Sequence, residues 1–310
     1  MLNTIMKSYA GPIFIITAAL LWAFDGLIRQ HLYSLPPITI IFFEHLIGLI
    51  ILLPFVYKYI FKNKLEKKEW WLVILVSVLS GLLGTLWFTT ALVKVNFISI
   101  SVVFLLQKLQ PIFAISTATI FLKEKLDKRY IKWALLAIVA AYFVTFKNGY
   151  VNFATGEGTV IAALYALGAA FAWGSSTTFS KMLLGKVEAK VSTFYRFLIT
   201  TVIALPVLFL WGHGESLGAP TGSQFGFLAL IAVSTGMVAL LIYYKGLAKT
   251  PVHISTILEL TFPFIAIFLD MVVNNTILSV SQWVAAIVLV WSIYMIARLR
   301  ENMESVATQN

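Results

Sequence analysis

Apolar residues fall in long, nearly uninterrupted runs, separated by short polar breaks. Ten such runs can be marked, at about 11–29, 37–60, 70–93, 97–122, 130–147, 157–180, 192–211, 225–246, 252–272 and 281–298. A hydrocarbon core about 30 Å thick needs about 20 residues of helix, so each run is read as a membrane span. The predicted fold class is therefore an all-α integral membrane protein with ten transmembrane helices. Polar breaks include Pro36–Pro37, the stretch from Lys58 to Glu69, and the Gly- and Ser-rich loop from Gly212 to Ser223. Residues 301–310 form a polar tail.

Polar residues inside the runs are few. The fourth run carries Gln107, Lys108 and Gln110, followed by Pro111. A lysine at that depth costs about 2.5–3.5 kcal/mol on insertion scales. Proline also removes a backbone donor. Such groups are tolerated at membrane depth beside buried protein partners or a water-filled cavity, so this helix is expected to line a central polar site.

The composition agrees with that picture: 60% of residues are hydrophobic and 12% charged, against about 25% charged in a soluble domain. The net charge of +10 does not point to nucleic acid, because 18 of the 23 Lys and Arg fall in alternate loops on one side. By the positive-inside rule that side is cytoplasmic, and both termini lie there. With no cysteine, disulfides, thiolate metal sites and Cys nucleophiles are excluded. The four histidines are too scattered for a metal cluster, and no catalytic signature of the zinc-protease, serine-hydrolase or P-loop kind occurs. No cofactor and no enzymatic activity are expected. The first run, at about 18 residues, is too long for the h-region of a signal peptide and is read as a retained helix.

The chain also repeats. Trp22 matches Trp173, Pro54 matches Pro206, Ser80–Gly81 matches Thr235–Gly236, Pro111 matches Pro263, and Trp133 matches Trp283, all at offsets of 150 to 155. Residues 1–149 and 150–300 are read as two five-helix repeats. An odd number of spans per repeat inverts the second copy, and inverted repeats point to transport with a site near the midplane.

These residues resemble those of the EamA-type transporters of the drug/metabolite transporter superfamily. Besides the two tryptophans, the resemblance rests on Ala91-Leu92 and Gly246-Leu247, on Leu109-Gln110-Pro111-Ile112-Phe113-Ala114 with Leu122-Lys123-Glu124-Lys125-Leu126, and on Leu258-Glu259-Leu260-Thr261-Phe262-Pro263-Phe264. Arg196 looks like the family's arginine in its span. The sequence departs from the repeat in three places: Glu44-His45 stands opposite Arg196-Phe197, Glu124 opposite Asn274-Asn275, and Lys108 opposite Leu260. The resemblance implies a ten-helix basket, alternating access, and export or exchange of a small metabolite such as an amino acid. It further implies a multi-pass cell-membrane protein of prokaryotic type.

Candidate substrate-binding residues are Lys108, Glu259, Gln107, Gln110, Trp22, Trp173, Tyr243 and Ser176. Lys108 and Glu259 are read either as a substrate-ordering pair or as a structural ion pair between the repeats. One of Gln107 and Gln110 is expected at the cavity and the other on a neighbouring helix. Glu44 and His45 are candidates for proton coupling, or alternatively partners for Arg29 or Lys108; Asp25 is a further candidate in the same cluster, or else a cap for polar backbone near Gly26. Arg196, Pro111 and Pro263 are assigned gate or structural roles, with Arg196 snorkelling to lipid phosphate or pairing with Glu188. Ser175 and Ser176 end a small-residue run that permits close helix approach. Expected partners are a small-molecule substrate, protons and membrane lipids, with the chain a monomer or weak dimer. A nucleotide-sugar or phosphate-ester exchanger is the alternative substrate class, and a non-transporting scaffold or enzyme a more distant one.

Overall fold

A computed structural model describes residues 2–62, 64–94, 107, 109–126, 128–150, 158–262, 265, 269, 272 and 279–307. Lys108 and Pro263 therefore lie outside the described residues. Helices account for the regular structure of the described residues, which include no strand. In chain order they are α1 (Leu2–Trp22), α2 (Asp25–Arg29), α3 (Pro37–Lys62), α4 (Lys67–Val76), α5 (Thr85–Lys94), α6 (Gln110–Phe121), α7 (Lys128–Thr145), α8 (Gly158–Leu184), α9 (Ala189–Leu210), α10 (Gly222–Ile231), α11 (Ala239–Lys249), α12 (Val252–Leu258) and α13 (Val280–Ala307). Two short π-helical stretches join neighbours into longer rods: Ser77–Gly84 links α4 to α5, and Ala232–Val238 links α10 to α11.

Five described stretches are long and apolar enough to cross a membrane: Ala10–Leu32, Pro37–Ile60, Lys67–Lys94, Ala189–Leu210 and Gly222–Lys249. Their exposed sides carry large apolar side chains such as Phe55, Phe209 and Leu210.

The packing of the two halves is reciprocal. α1 packs along α11, and α8 along α5. α3 packs on α9, α7 on α13, and α6 on both α8 and α12. First helices thus meet third-helix rods of the other half, and second, fourth and fifth positions meet their own equivalents. Small residues set the separations. A Cβ on Gly174 would stand 2.6 Å from the carbonyl oxygen of Gln110, so only glycine lets α8 approach α6 this closely.

Loop contacts gather at the two ends of the bundle. At one end Glu124 meets the start of α12, and Lys181 Nζ donates to the carbonyls of Leu247 and Ala248 at 2.7 and 3.0 Å. That lysine satisfies the free carbonyls at the C-terminus of α11. At the other end Thr39 meets Ser216, Gln224 meets Ser34, and Ser281 meets Asn148.

Candidate substrate site

The π-helical stretches explain where the two repeat tryptophans go. Wider π turns divert backbone carbonyls from the regular helical ladder. Trp22 Nε1 donates to the carbonyl of Thr235 at 2.9 Å, and Trp173 Nε1 donates to the carbonyl of Ser80 at 3.2 Å. Both acceptors lie within the π-helical stretches. The two indole N–H groups tie each first helix to the other half. The ring of Trp22 still packs on Tyr243, with centroids 5.1 Å apart.

Glu259 follows α12 and gathers the central polar cluster. Its Oε1 accepts from the Tyr243 hydroxyl at 2.7 Å, and its Oε2 accepts from Gln110 Nε2 at 3.1 Å. Tyr243 comes from α11 and Gln110 from the first turn of α6, so three helices from both halves converge on one carboxylate. Pro111 occupies that same first turn. There a missing N–H costs no helical bond, so Pro111 suits the start of α6. Gln107 points elsewhere: its Nε2 donates to the carbonyl of Ala166 at 2.8 Å. Ser175 and Ser176 are buried, with hydroxyls that lack a partner among the described residues.

A second cluster is ionic. Arg29 Nε and Nη2 meet the two carboxylate oxygens of Asp25 at 2.8 and 3.1 Å, and Nη2 also meets Glu44 Oε2 at 3.1 Å. Thr235 Oγ1 donates to Asp25 Oδ1 at 2.7 Å. Glu44 thus has Arg29 as its partner, the alternative read from the sequence, and Asp25 joins the same cluster through Arg29 and Thr235. His45 is 2% exposed. Its Nδ1 lies 2.9 Å from the Ile41 carbonyl, and its ring packs edge-on against Phe197.

Arg196 does not meet Glu188, which instead pairs with Lys190 at 3.3 Å. Arg196 Nη1 donates to the Tyr244 hydroxyl at 3.3 Å, inside the bundle. At one end of the bundle, Glu124 accepts from the backbone N–H of Val252 at 2.8 Å and of His253 at 3.1 Å, and it pairs with His253 Nδ1. Burial works against its charge, but these hydrogen bonds outweigh burial and hold the carboxyl below its ordinary range. The sequence did not single out Thr235 or Thr177 for this region. Thr177 continues the small-residue run, and its Oγ1 lies 3.5 Å from the Tyr243 hydroxyl.

A carboxylate held by neutral donors, beside an aromatic pair and between two packed halves, suits binding of a small molecule. The family model described as the EamA-like transporter family matches the chain twice, over residues 9–146 and 160–298. The chain belongs to that family. It is a multi-pass membrane transporter with the family's two repeated units.

The chain is also similar to a protein named riboflavin transporter ImpX, from Fusobacterium nucleatum subsp. nucleatum. The two are 37% identical over 293 residues, covering 93% of this chain and 98% of that protein. A solved crystal structure of a protein 17% identical to this EamA-family chain shares its fold, with a TM-score of 0.76 over 93% of this chain and 98% of the other.

Proposed function

We propose that this EamA-family transporter carries riboflavin, or a closely related flat heteroaromatic metabolite, across a bacterial plasma membrane by alternating access. The observation that carries this reading is the full-length 37% identity to a protein named a riboflavin transporter. The site chemistry supports it. Trp22 and Tyr243 offer an aromatic surface, Glu259 offers an acceptor for N–H or O–H groups, and Gln110 supplies an amide that both donates and accepts. In this reading the two halves are inverted five-helix repeats of a ten-span chain with both termini in the cytoplasm. They move against each other about the central site.

A second reading is export of an amino acid or a related amphiphile. It draws on Glu259, which among the described residues accepts only from neutral donors and is suited to an ammonium group. The phosphate-ester exchanger reading needs clustered cations at the site.

The test is uptake and counterflow in proteoliposomes with riboflavin, tryptophan, phenylalanine and a nucleotide sugar. Saturable riboflavin flux is the expected result. Flux of an amino acid without riboflavin would replace this reading with the second.

A further inference from the structure

The two intramembrane arginines are treated differently by their surroundings. Arg29 spends its guanidinium on Asp25 and Glu44. Arg196 lies seven residues into α9, within an apolar span. Its Nη1 reaches the Tyr244 hydroxyl, and its buried Nε has no acceptor among the described residues. No carboxylate of the described residues forms an ion pair with it. A guanidinium carries five N–H donors in a rigid fork. Placing one at membrane depth with so few acceptors is costly and marks a functional group.

The surroundings say what would occupy the open edge. Tyr244 is 1% exposed, and its ring lies 6.1 Å from that of Tyr243. Tyr243 in turn binds Glu259 and packs on Trp22. Donors on Arg196 and an acceptor on Glu259 therefore bracket one tyrosine pair. A flat ring with carbonyl oxygens on one edge and N–H or hydroxyl groups elsewhere matches that polarity. Riboflavin carries both, in its pyrimidine-dione ring and its ribityl chain.

We propose that Arg196 reads the substrate: its open N–H edge holds the carbonyl oxygens of the flavin's pyrimidine-dione ring. This rests on the riboflavin reading above. The competing explanation is charge balance. Asp25 and Glu44 are two carboxylates for the one guanidinium of Arg29, and Arg196 lies on α9, which packs on the α3 that carries Glu44. A lysine satisfies charge balance but lacks the planar fork.

The experiment is titration of riboflavin, lumichrome and flavin mononucleotide by fluorescence quenching, using detergent-purified wild type, Arg196→Lys, Arg196→Gln and Tyr244→Phe. Folding is checked by size-exclusion profile. Wild type is expected to bind riboflavin and lumichrome, which share the dione ring. Both Arg196 variants should weaken both ligands at least tenfold, and Tyr244→Phe, which frees the guanidinium from its anchor, several-fold. Should the Arg196 variants fail to fold, Tyr244→Phe decides.

Wild-type affinity in Arg196→Lys, or in Tyr244→Phe, overturns the proposal and leaves charge balance. Tighter binding of flavin mononucleotide than of riboflavin, lost in Arg196→Gln, overturns it in favour of a phosphate. If wild type binds neither riboflavin nor lumichrome, the flavin reading itself falls, and this proposal with it.

Discussion

Trp22 and Thr235 are joined across the two halves by the indole N–H, which donates to the Thr235 carbonyl, and the Thr235 hydroxyl adds a second bond to Asp25, three residues beyond Trp22. The reciprocal bond from Trp173 to Ser80 makes the device symmetric. Each first helix is thereby locked to a π-helical stretch of the other half.

Removing either indole donor leaves a carbonyl of a π turn without that partner. Trp22→Phe and Trp173→Phe should each cost about 1–3 kcal/mol, read as a lower Tm in detergent. Gly84→Ala should act through the same bond, because a Cβ there would lie 2.4 Å from Trp173 Nε1. Unchanged Tm in both Phe variants would remove these bonds from the account of stability.

Glu259→Gln keeps the shape of the central cluster but replaces an acceptor pair by one acceptor and one donor. Either Tyr243 or Gln110 then faces an N–H group. Transport should fall at least tenfold while the protein still purifies as a single folded species. Tyr243→Phe should lower transport less, since Gln110 still holds the carboxylate. Proteoliposome flux of both variants checks the ranking.

Arg29→Met would leave Asp25 and Glu44 as buried carboxylates without their cation, at a cost of about 3–5 kcal/mol. Arg29→Lys should recover little of that loss, because a point charge cannot span two oxygens of Asp25 and one of Glu44 together. The triple change Asp25→Asn, Arg29→Met and Glu44→Gln should be milder than Arg29→Met alone. Tm values of the three variants test the order.

Glu124 predicts a pH dependence. Its carboxyl is held below its ordinary value of 4.5 by His253 and by the first N–H groups of α12, despite burial. A depressed carboxylate contributes stability above its unfolded-state value, and loses it as pH falls through the folded-state value. Wild type should therefore exceed Glu124→Gln in Tm at neutral pH, with the gap closing below about pH 4.5. A gap independent of pH between 7 and 3 would contradict this cause.

Much of the architecture was legible along the chain. Runs of about 20 apolar residues announce helices, because a membrane satisfies backbone groups only within the helix itself. Trp22 with Trp173, and Ser80 with Thr235, could be paired by offset alone. The sequence also brought forward Glu259 and Gln110, because polar groups at membrane depth are costly and so conspicuous. Gln107 and Gln110, expected to part between a neighbouring helix and the cavity, go to the Ala166 carbonyl on α8 and to Glu259.

Hydropathy and spacing along the chain are enough for the membrane class and the repeat, and they bring out Glu44, Glu259 and Gln110 as polar groups inside apolar runs. Partner choice comes from the packing of distant helices. Arg29 takes both Asp25 and Glu44, the tryptophan N–H groups go to carbonyls of π turns, and Arg196 turns to Tyr244 and not to Glu188. A buried donor takes whichever acceptor the packing of distant helices brings within about 3 Å. That distance is set by contacts such as Gly174 on Gln110, between residues far apart in the chain.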